Sequence, residues 1–178
     1  MMMGMLESGG LDLLTDGIRT ADEDNPKGYY EFERVKELDK TKDTSWLRSA
    51  RNKGVKIISF LLQHLPDTYS YKIIFMRRSI NEVLASQSTM LSRRAESANK
   101  VNDTDMAEFF SQHLRKIEAL IAKRTNCDVM YVDYREALDS PTTVAEKVNH
   151  FLGGTLDVEK MSQVIDGRLY RNRANPKN

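Results

Sequence analysis

The stretch 71-YKIIFMRRSINEVLAS-86 decides the fold class of this chain. Residues 71–76 form a short, mostly apolar run with two adjacent isoleucines, which is typical of a buried strand. Two arginines follow, and Ser79 and Glu82 then have the spacing of a helix capping box. Apolar residues recur beyond Ser79 at helical spacing. A buried strand that leads directly into a helix predicts an α/β domain.

The same alternation of strands and helices extends over the rest of the sequence. Two further buried strands are predicted at residues 55–59 and 129–132. Helices are predicted at residues 1–8, 29–38, 44–52, 60–65, 80–91, 104–124, 141–152 and 157–165. Strands separated by helices imply right-handed crossovers and a parallel sheet that is covered on both faces. The predicted fold class is therefore α/β, with three layers in which helices lie on both sides of a parallel sheet.

Length, charge and composition limit the possible functions. A chain of 178 residues is expected to form one domain, and its net charge of +1 argues against binding to nucleic acid or to an anionic membrane. No apolar run approaches the ~18 residues that a membrane span needs. Cys127 is the only cysteine, so an internal disulfide is impossible and the cytoplasm is the expected compartment. The three histidines are isolated in the sequence, and no metal site is predicted.

Polar residues follow the predicted strands where a parallel sheet binds ligands, at the carboxyl ends. They are Ser59, Arg77, Arg78 and residues 133–134. The guanidinium of Arg78 offers a planar donor fork to a phosphate, and Ser86 on the next helix can add a hydroxyl donor. In the alternative interpretation Arg78 pairs with a surface carboxylate and Ser86 only packs. Arg77 takes the ligand role if the register differs by one residue.

Three segments together resemble the sulfotransferase family, whose members use 3'-phosphoadenosine 5'-phosphosulfate as donor. The first two are 75-FMRRSINEVLAS-86 and 129-VMYVDYREALDSPTTVAEKVNHFLG-153. The third is 25-NPKGYYEFE-33, which follows a helix that ends in two glycines. The resemblance implies one sulfotransferase-like domain over residues 1–178 with a fold like that of the P-loop NTPases. It also implies that the first strand and the phosphosulfate-binding loop lie upstream of Met1, so the domain is expected to be incomplete at its N-terminus.

The resemblance assigns donor-binding roles to four residues. Arg78 and Ser86 match the family's ligands of the 3'-phosphate, and Tyr134 matches the tyrosine that contacts the adenine. Arg171 lies in a basic C-terminal segment like the one that the family directs at the same phosphate. The residues alone leave alternatives open, because Tyr134 can equally cap the core and Arg171 can belong to a solvated tail.

Two residues are candidates for catalysis. Lys56 resembles the family's lysine that contacts the transferring group, but Ile58 stands where cytosolic members carry the catalytic histidine. Other branches use a glutamate soon after the phosphosulfate loop, and Glu31 occupies that stretch together with Glu33. A carboxylate among aromatic side chains is suited to accept a hydroxyl proton, so Glu31 is the candidate base. The alternatives are a surface lysine at position 56 and an ordinary solvated carboxylate at position 31.

The resemblance therefore implies transfer of a sulfuryl group from 3'-phosphoadenosine 5'-phosphosulfate to a hydroxyl or amine of a small-molecule or glycan acceptor. Without the upstream loop the transfer is expected to be impaired, since each preorganised donor of this kind is worth roughly 10²–10³ in rate. Two alternatives remain open. One is a P-loop nucleotide or metabolite kinase, and the other is a non-catalytic fragment that binds a nucleotide or a partner protein. The acceptor's identity and the oligomeric state are not predicted.

Overall fold

The computed structural model of the chain describes residues 1–22, 25, 28–41, 43–93 and 103–167. Six α-helices lie within these residues: α1 (Met2–Ser8), α2 (Ile80–Arg93), α3 (Asp103–Ala122), α4 (Tyr134–Asp139), α5 (Pro141–Leu152) and α6 (Val158–Gln163). The two strands are β1 (Tyr71–Arg77) and β2 (Cys127–Asp133). Three short 3-10 helices cover Glu33–Glu37, Ser45–Arg48 and Ser59–His64. Arg171 and the rest of the basic tail lie outside the described residues.

Strands β1 and β2 pair in parallel and form a two-stranded sheet. The register runs from Tyr71 opposite Cys127 to Arg77 opposite Asp133, so both strands end at the same edge. Helices α2 and α3 connect them, as expected for parallel neighbours, which need a long crossover. The α/β class and the parallel pairing are confirmed.

The prediction of a strand at residues 55–59 is wrong. An earlier segment of the same chain pairs with this region at one point only, through a parallel bridge between Leu13 and Gly54. Beyond Gly54 the backbone runs without a strand partner among the described residues, and Ser59 already begins a 3-10 helix. Val55 and Ile57 nevertheless pack against the core. The apolar run therefore reflects burial of side chains and not membership of the sheet.

Two predicted helices are shorter than expected and adopt 3-10 geometry. Residues 29–32 are not helical, because Tyr30 has a φ of 53° and Phe32 is extended. The first helix of this region therefore begins only at Glu33. The helix expected at residues 44–52 is reduced to Ser45–Arg48. Helix α4 was not predicted, although Asp133 caps it by accepting hydrogen bonds from the backbone N–H groups of Arg135 and Glu136.

A core lies against each face of the sheet. Successive side chains of a strand point to opposite faces, so Ile73 and Phe75 of β1 join one core while Ile74 and Met76 join the other. The first core contains buried side chains of α3 and of the 3-10 helices. The second contains buried side chains of α1, α5 and α6. Helices thus cover both faces of the strand pair and leave its carboxyl edge for polar residues.

Candidate functional site

The carboxyl edge of the sheet brings together two of the residues that were predicted to bind a nucleotide. Arg77 and Asp133 form the last pair of the register, so Arg78 and Tyr134 both follow directly at this edge. The guanidinium carbon of Arg78 lies 4.9 Å from the centre of the Tyr134 ring. This distance is within the range of a cation–π contact. The two side chains therefore form a joint surface of positive charge and aromatic ring.

A buried carboxylate holds the Arg78 side chain in place. Nε of Arg78 donates to Oε2 of Glu82 at 3.0 Å, and the Glu82 side chain is only 6% exposed. Arg78 therefore does pair with a carboxylate, as the alternative interpretation of the sequence predicted. Its partner is buried in the first turn of α2 rather than on the surface, so the contact fixes the position of the guanidinium at the edge of the sheet.

Ser86 continues the same side of α2. Glu82 and Ser86 are four residues apart in α2, so they lie along one side of the helix. Arg78 precedes the helix and contacts this side through Glu82. The Ser86 side chain is half-buried one turn beyond Glu82. The alternative ligand, Arg77, turns to α3 instead, where it bonds Glu118 at 3.0 Å. Arg78 is therefore the arginine that accompanies Tyr134.

A second cluster brings together the two candidate catalytic residues. Nζ of Lys56 lies 3.5 Å from Oε1 of Glu31, and the Glu31 side chain is 18% exposed. Two further cations surround this carboxylate: Nη1 of Arg19 at 3.1 Å and Nζ of Lys36 at 3.5 Å. Glu31 is thus neither a solvated carboxylate nor one enclosed by aromatic rings alone. It is a mostly buried acid whose charge is balanced by three cationic side chains.

Backbone contacts fix the loop that carries Glu31. Nζ of Lys56 also donates to the backbone oxygen of Tyr29 at 2.9 Å. The N–H of Asp16 donates to the Glu31 carbonyl at 3.2 Å, and the Asp16 carboxylate accepts from the N–H groups of Glu33 and Ile18. These N–H groups, with Glu33 first, hold the pKa of Asp16 below its ordinary value. We call this set of hydrogen bonds the Asp16 clasp.

A small cavity opens beside the Glu31 carboxylate. It has a volume of about 130 Å³ and is lined by residues 28–31 together with Thr15, Gly17 and Arg19. The Tyr29 phenol donates to Asp22 at 2.7 Å, and burial followed by this hydrogen bond raises the pKa of Tyr29. Tyr30 donates to Glu7 of α1 at 2.8 Å, which ties the cavity wall to the first helix. The cavity therefore combines aromatic walls with a charge-balanced carboxylate.

Sequence reasoning missed two contacts of chemical interest. Arg19 stacks on the Tyr29 ring at 3.3 Å while it bonds Glu31, but it stands in a polar loop without any periodic or motif signal. Ser59, predicted at the sheet edge, pairs with Nε2 of His113 on α3 at 3.0 Å. These two residues lie far apart in the sequence, so only the packing of α3 against the 3-10 helix Ser59–His64 reveals the pair.

The described residues contain no group of three or more His, Cys, Asp or Glu side chains arranged to hold a metal ion. In the same part of the chain, every helix is too short or too polar to span a bilayer. Comparisons with protein-family models, with curated proteins and with solved structures found no match to this chain.

Proposed function

We propose that this chain is a sulfotransferase domain that binds 3'-phosphoadenosine 5'-phosphosulfate and transfers its sulfuryl group to a hydroxyl or amine of a small-molecule or glycan acceptor. The proposal includes a three-layer, P-loop-like architecture. It is supported above all by the contact between Arg78 and Tyr134 at the carboxyl edge of the parallel strands. Ligands of α/β sheets bind at this edge.

The residues at the sheet edge suit the adenosine 3'-phosphate end of the donor. The Arg78 guanidinium is the group that recognises phosphate best, because its planar fork matches two oxygens at once. Ser86 adds a hydroxyl on the same side of α2, and the Tyr134 ring offers a face on which a purine base can pack. Glu82 holds the guanidinium before the nucleotide arrives, which reduces the cost of ordering it on binding.

The cavity cluster suits the acceptor end of the reaction. The acceptor oxygen or nitrogen forms a bond to sulfur while the bond from sulfur to the 5'-phosphate oxygen breaks, so 3',5'-adenosine bisphosphate leaves with the bonding electrons and Glu31 accepts the acceptor's proton. Lys56 balances the negative charge on the transferring group, and the reaction proceeds by positioning and electrostatic stabilisation without a protein nucleophile. The proposal requires the cavity and the sheet edge to face the same bound donor.

The test is a thermal-shift titration of the full chain with 3',5'-adenosine bisphosphate, ATP and 5'-AMP. We expect the bisphosphate alone to stabilise the chain, by about 2.7 kcal/mol at a hundredfold excess over Kd. Arg78→Gln removes a charge-assisted contact worth about 1.5–3 kcal/mol and is expected to weaken binding roughly tenfold or more.

Arg77→Gln is the matched control, because Arg77 ends the same strand but bonds Glu118 on α3. We expect it to bind the bisphosphate like the wild type. Stabilisation by ATP in preference to the bisphosphate would favour a kinase. A chain that responds to none of the nucleotides would contradict nucleotide binding and leave an interaction fragment as the better interpretation.

A further inference from the structure

Arg19 occupies a position between the cavity wall and the candidate base. Its guanidinium carbon lies 3.3 Å from the centre of the Tyr29 ring, and its Nη1 lies 3.1 Å from Oε1 of Glu31. All three residues line the cavity. One planar group therefore touches both the aromatic wall and the carboxylate, and this sets the direction in which the carboxylate faces.

Of the three cations around Glu31, Arg19 is the one best placed to orient it. Lys36 is 54% exposed and shares its charge with Glu33. Lys56 is 38% exposed and donates also to the Tyr29 carbonyl. Arg19 is 32% exposed and makes the shortest of the three contacts with Glu31. A stacked guanidinium also loses less freedom per hydrogen bond than a lysine does.

The chain around Arg19 is anchored to the chain around Glu31. The Asp16 clasp joins residues 16–18 to residues 31–33 through two backbone N–H groups, those of Asp16 and Glu33, and the Ile18 N–H donates to Asp16 within the first segment. Gly17, which lies between Asp16 and Ile18, has a φ of +67°, a conformation that a residue with a side chain rarely adopts. These hydrogen bonds fix the backbone of the Arg19 loop relative to the backbone that carries Glu31. The contact between the two side chains therefore rests on a defined backbone arrangement.

We infer that Arg19 is a positioning residue: it holds the Glu31 carboxylate at the cavity, in the orientation that receives the acceptor's proton. This inference rests on the proposed sulfuryl transfer. Arg19 acts through Glu31 and is not itself a proton acceptor. We expect lysine to replace it only in part, because an ammonium group has no planar face to stack on the Tyr29 ring while it donates to the carboxylate.

The decisive experiment is a double-mutant cycle on kcat for release of adenosine bisphosphate from 3'-phosphoadenosine 5'-phosphosulfate, with a panel of alcohol, phenol, sugar and amine acceptors. Glu31→Gln is expected to lower kcat about 10²-fold, as loss of a general base does. Arg19→Gln is expected to lower it about tenfold, and Arg19→Lys to recover only part of this loss. The double variant is expected to match Glu31→Gln alone, because a residue that acts through another has no effect once that partner is gone.

Arg34→Gln is the matched control, since Arg34 pairs with Glu37 and Asp43 away from the cavity. It should leave kcat unchanged. A readout that needs no turnover is the ring signal of Tyr29 in NMR spectra of ¹³C-tyrosine-labelled chain, assigned with Tyr29→Phe. Arg19→Gln should shift this signal, and Arg34→Gln should not.

The outcomes separate the two proposals. The role of Arg19 is overturned if the fold-loss of kcat in the double variant equals the product of the two single losses. It is also overturned if Arg19→Gln leaves the Tyr29 signal unchanged. Neither result would contradict sulfuryl transfer. A wild-type chain that neither binds the bisphosphate nor turns over any acceptor overturns the proposed function and, with it, the catalytic meaning of the Arg19 contact.

Discussion

At the scale of single residues, the most important feature is the contact that fixes the orientation of each candidate functional side chain. Arg78 reaches the sheet edge from a position that was readable in the sequence, but its orientation depends on Glu82, which is 6% exposed. A buried carboxylate is stable only when it is paired, so Glu82 and Arg78 hold each other in place. The proposed nucleotide site therefore depends on a residue that is not itself one of the proposed nucleotide ligands.

We expect Glu82→Gln to weaken both folding and nucleotide binding. The amide keeps the shape of the side chain but loses the charge, so a charge-assisted hydrogen bond worth about 1.5–3 kcal/mol becomes a neutral one. Urea denaturation should show a loss of about 1–2 kcal/mol in the free energy of unfolding, and bisphosphate titration should show a several-fold weaker affinity. Unchanged affinity would show that Arg78 needs no such support.

Glu136→Gln provides the comparison, because Glu136 forms an exposed ion pair with Lys147. Exposed pairs contribute about 0–1 kcal/mol, so this variant should change little. Arg78 and Tyr134 were candidates because each follows a predicted strand, and the family resemblance gave these two residues and Ser86 their expected roles. Residue patterns gave no sign of Arg19, since a single arginine in a polar loop looks like any other solvated charge.

At the scale of elements, the long segments were predictable and the loops were not. Strands β1 and β2 and helices α2, α3 and α5 follow from apolar runs, helical spacing and stop signals such as Gly153, which has a φ of +114°. The helical conformation predicted at residues 29–32 is absent, because Tyr30 adopts a left-handed backbone conformation that a tyrosine side chain does not predict. That conformation excludes a regular right-handed helix at Tyr30, directly before the Glu31 that contacts Arg19 and Lys56.

We expect the Asp16 clasp to fail in acid. Backbone N–H groups hold the pKa of Asp16 below its ordinary value of 3.8, so the folded chain favours the carboxylate more than the unfolded chain does. Its contribution is complete above about pH 4 and is lost as the pH falls through the lowered pKa of the folded state. The protection factors of the Ile18 and Glu33 amides, which relate their exchange rates to that of an unprotected amide at the same pH, should therefore fall below this pH.

Asp16→Asn should accelerate exchange at the same two amides already at neutral pH and abolish the acid dependence. Asp43 is the comparison, because the hydroxyl and N–H groups of Ser45 also lower its pKa and it does not line the cavity. If Asp43→Asn disturbed the Ile18 amide as strongly, the effect would be one of net charge and not of the clasp.

At the scale of the whole molecule, the two cores meet through the sheet. Ile121 is 1% exposed in the core on the α3 side, and Met161 is fully buried in the core on the α6 side. Between them, neighbouring residues of β1 point alternately into one core and the other. Because both cores pack on the same strand, we expect a substitution that destabilises one core to destabilise the other.

We expect Ile121→Ala and Met161→Ala to lower the stability of the same cooperative transition, each by about 2–5 kcal/mol, as for other buried large-to-small changes. Calorimetry should show one transition in each variant, shifted to lower temperature. Two resolved transitions, with one unaffected by the substitution, would mean that the cores fold separately. Phe109→Ala, at a side chain that is 64% exposed, is the control and should have little effect.

The sequence by itself determined the α/β class, the parallel pairing of its two strands and the residues that follow them, because periodicity, caps and turn residues act over a few neighbouring positions. Tertiary structure alone decided which side chains meet. The run at residues 55–59 has the composition of a strand, but no described strand lies beside it, and its burial comes from packing. Glu31 meets Arg19 and Lys56 because two loops are joined by backbone hydrogen bonds, and the path of a loop depends on contacts that no local pattern encodes.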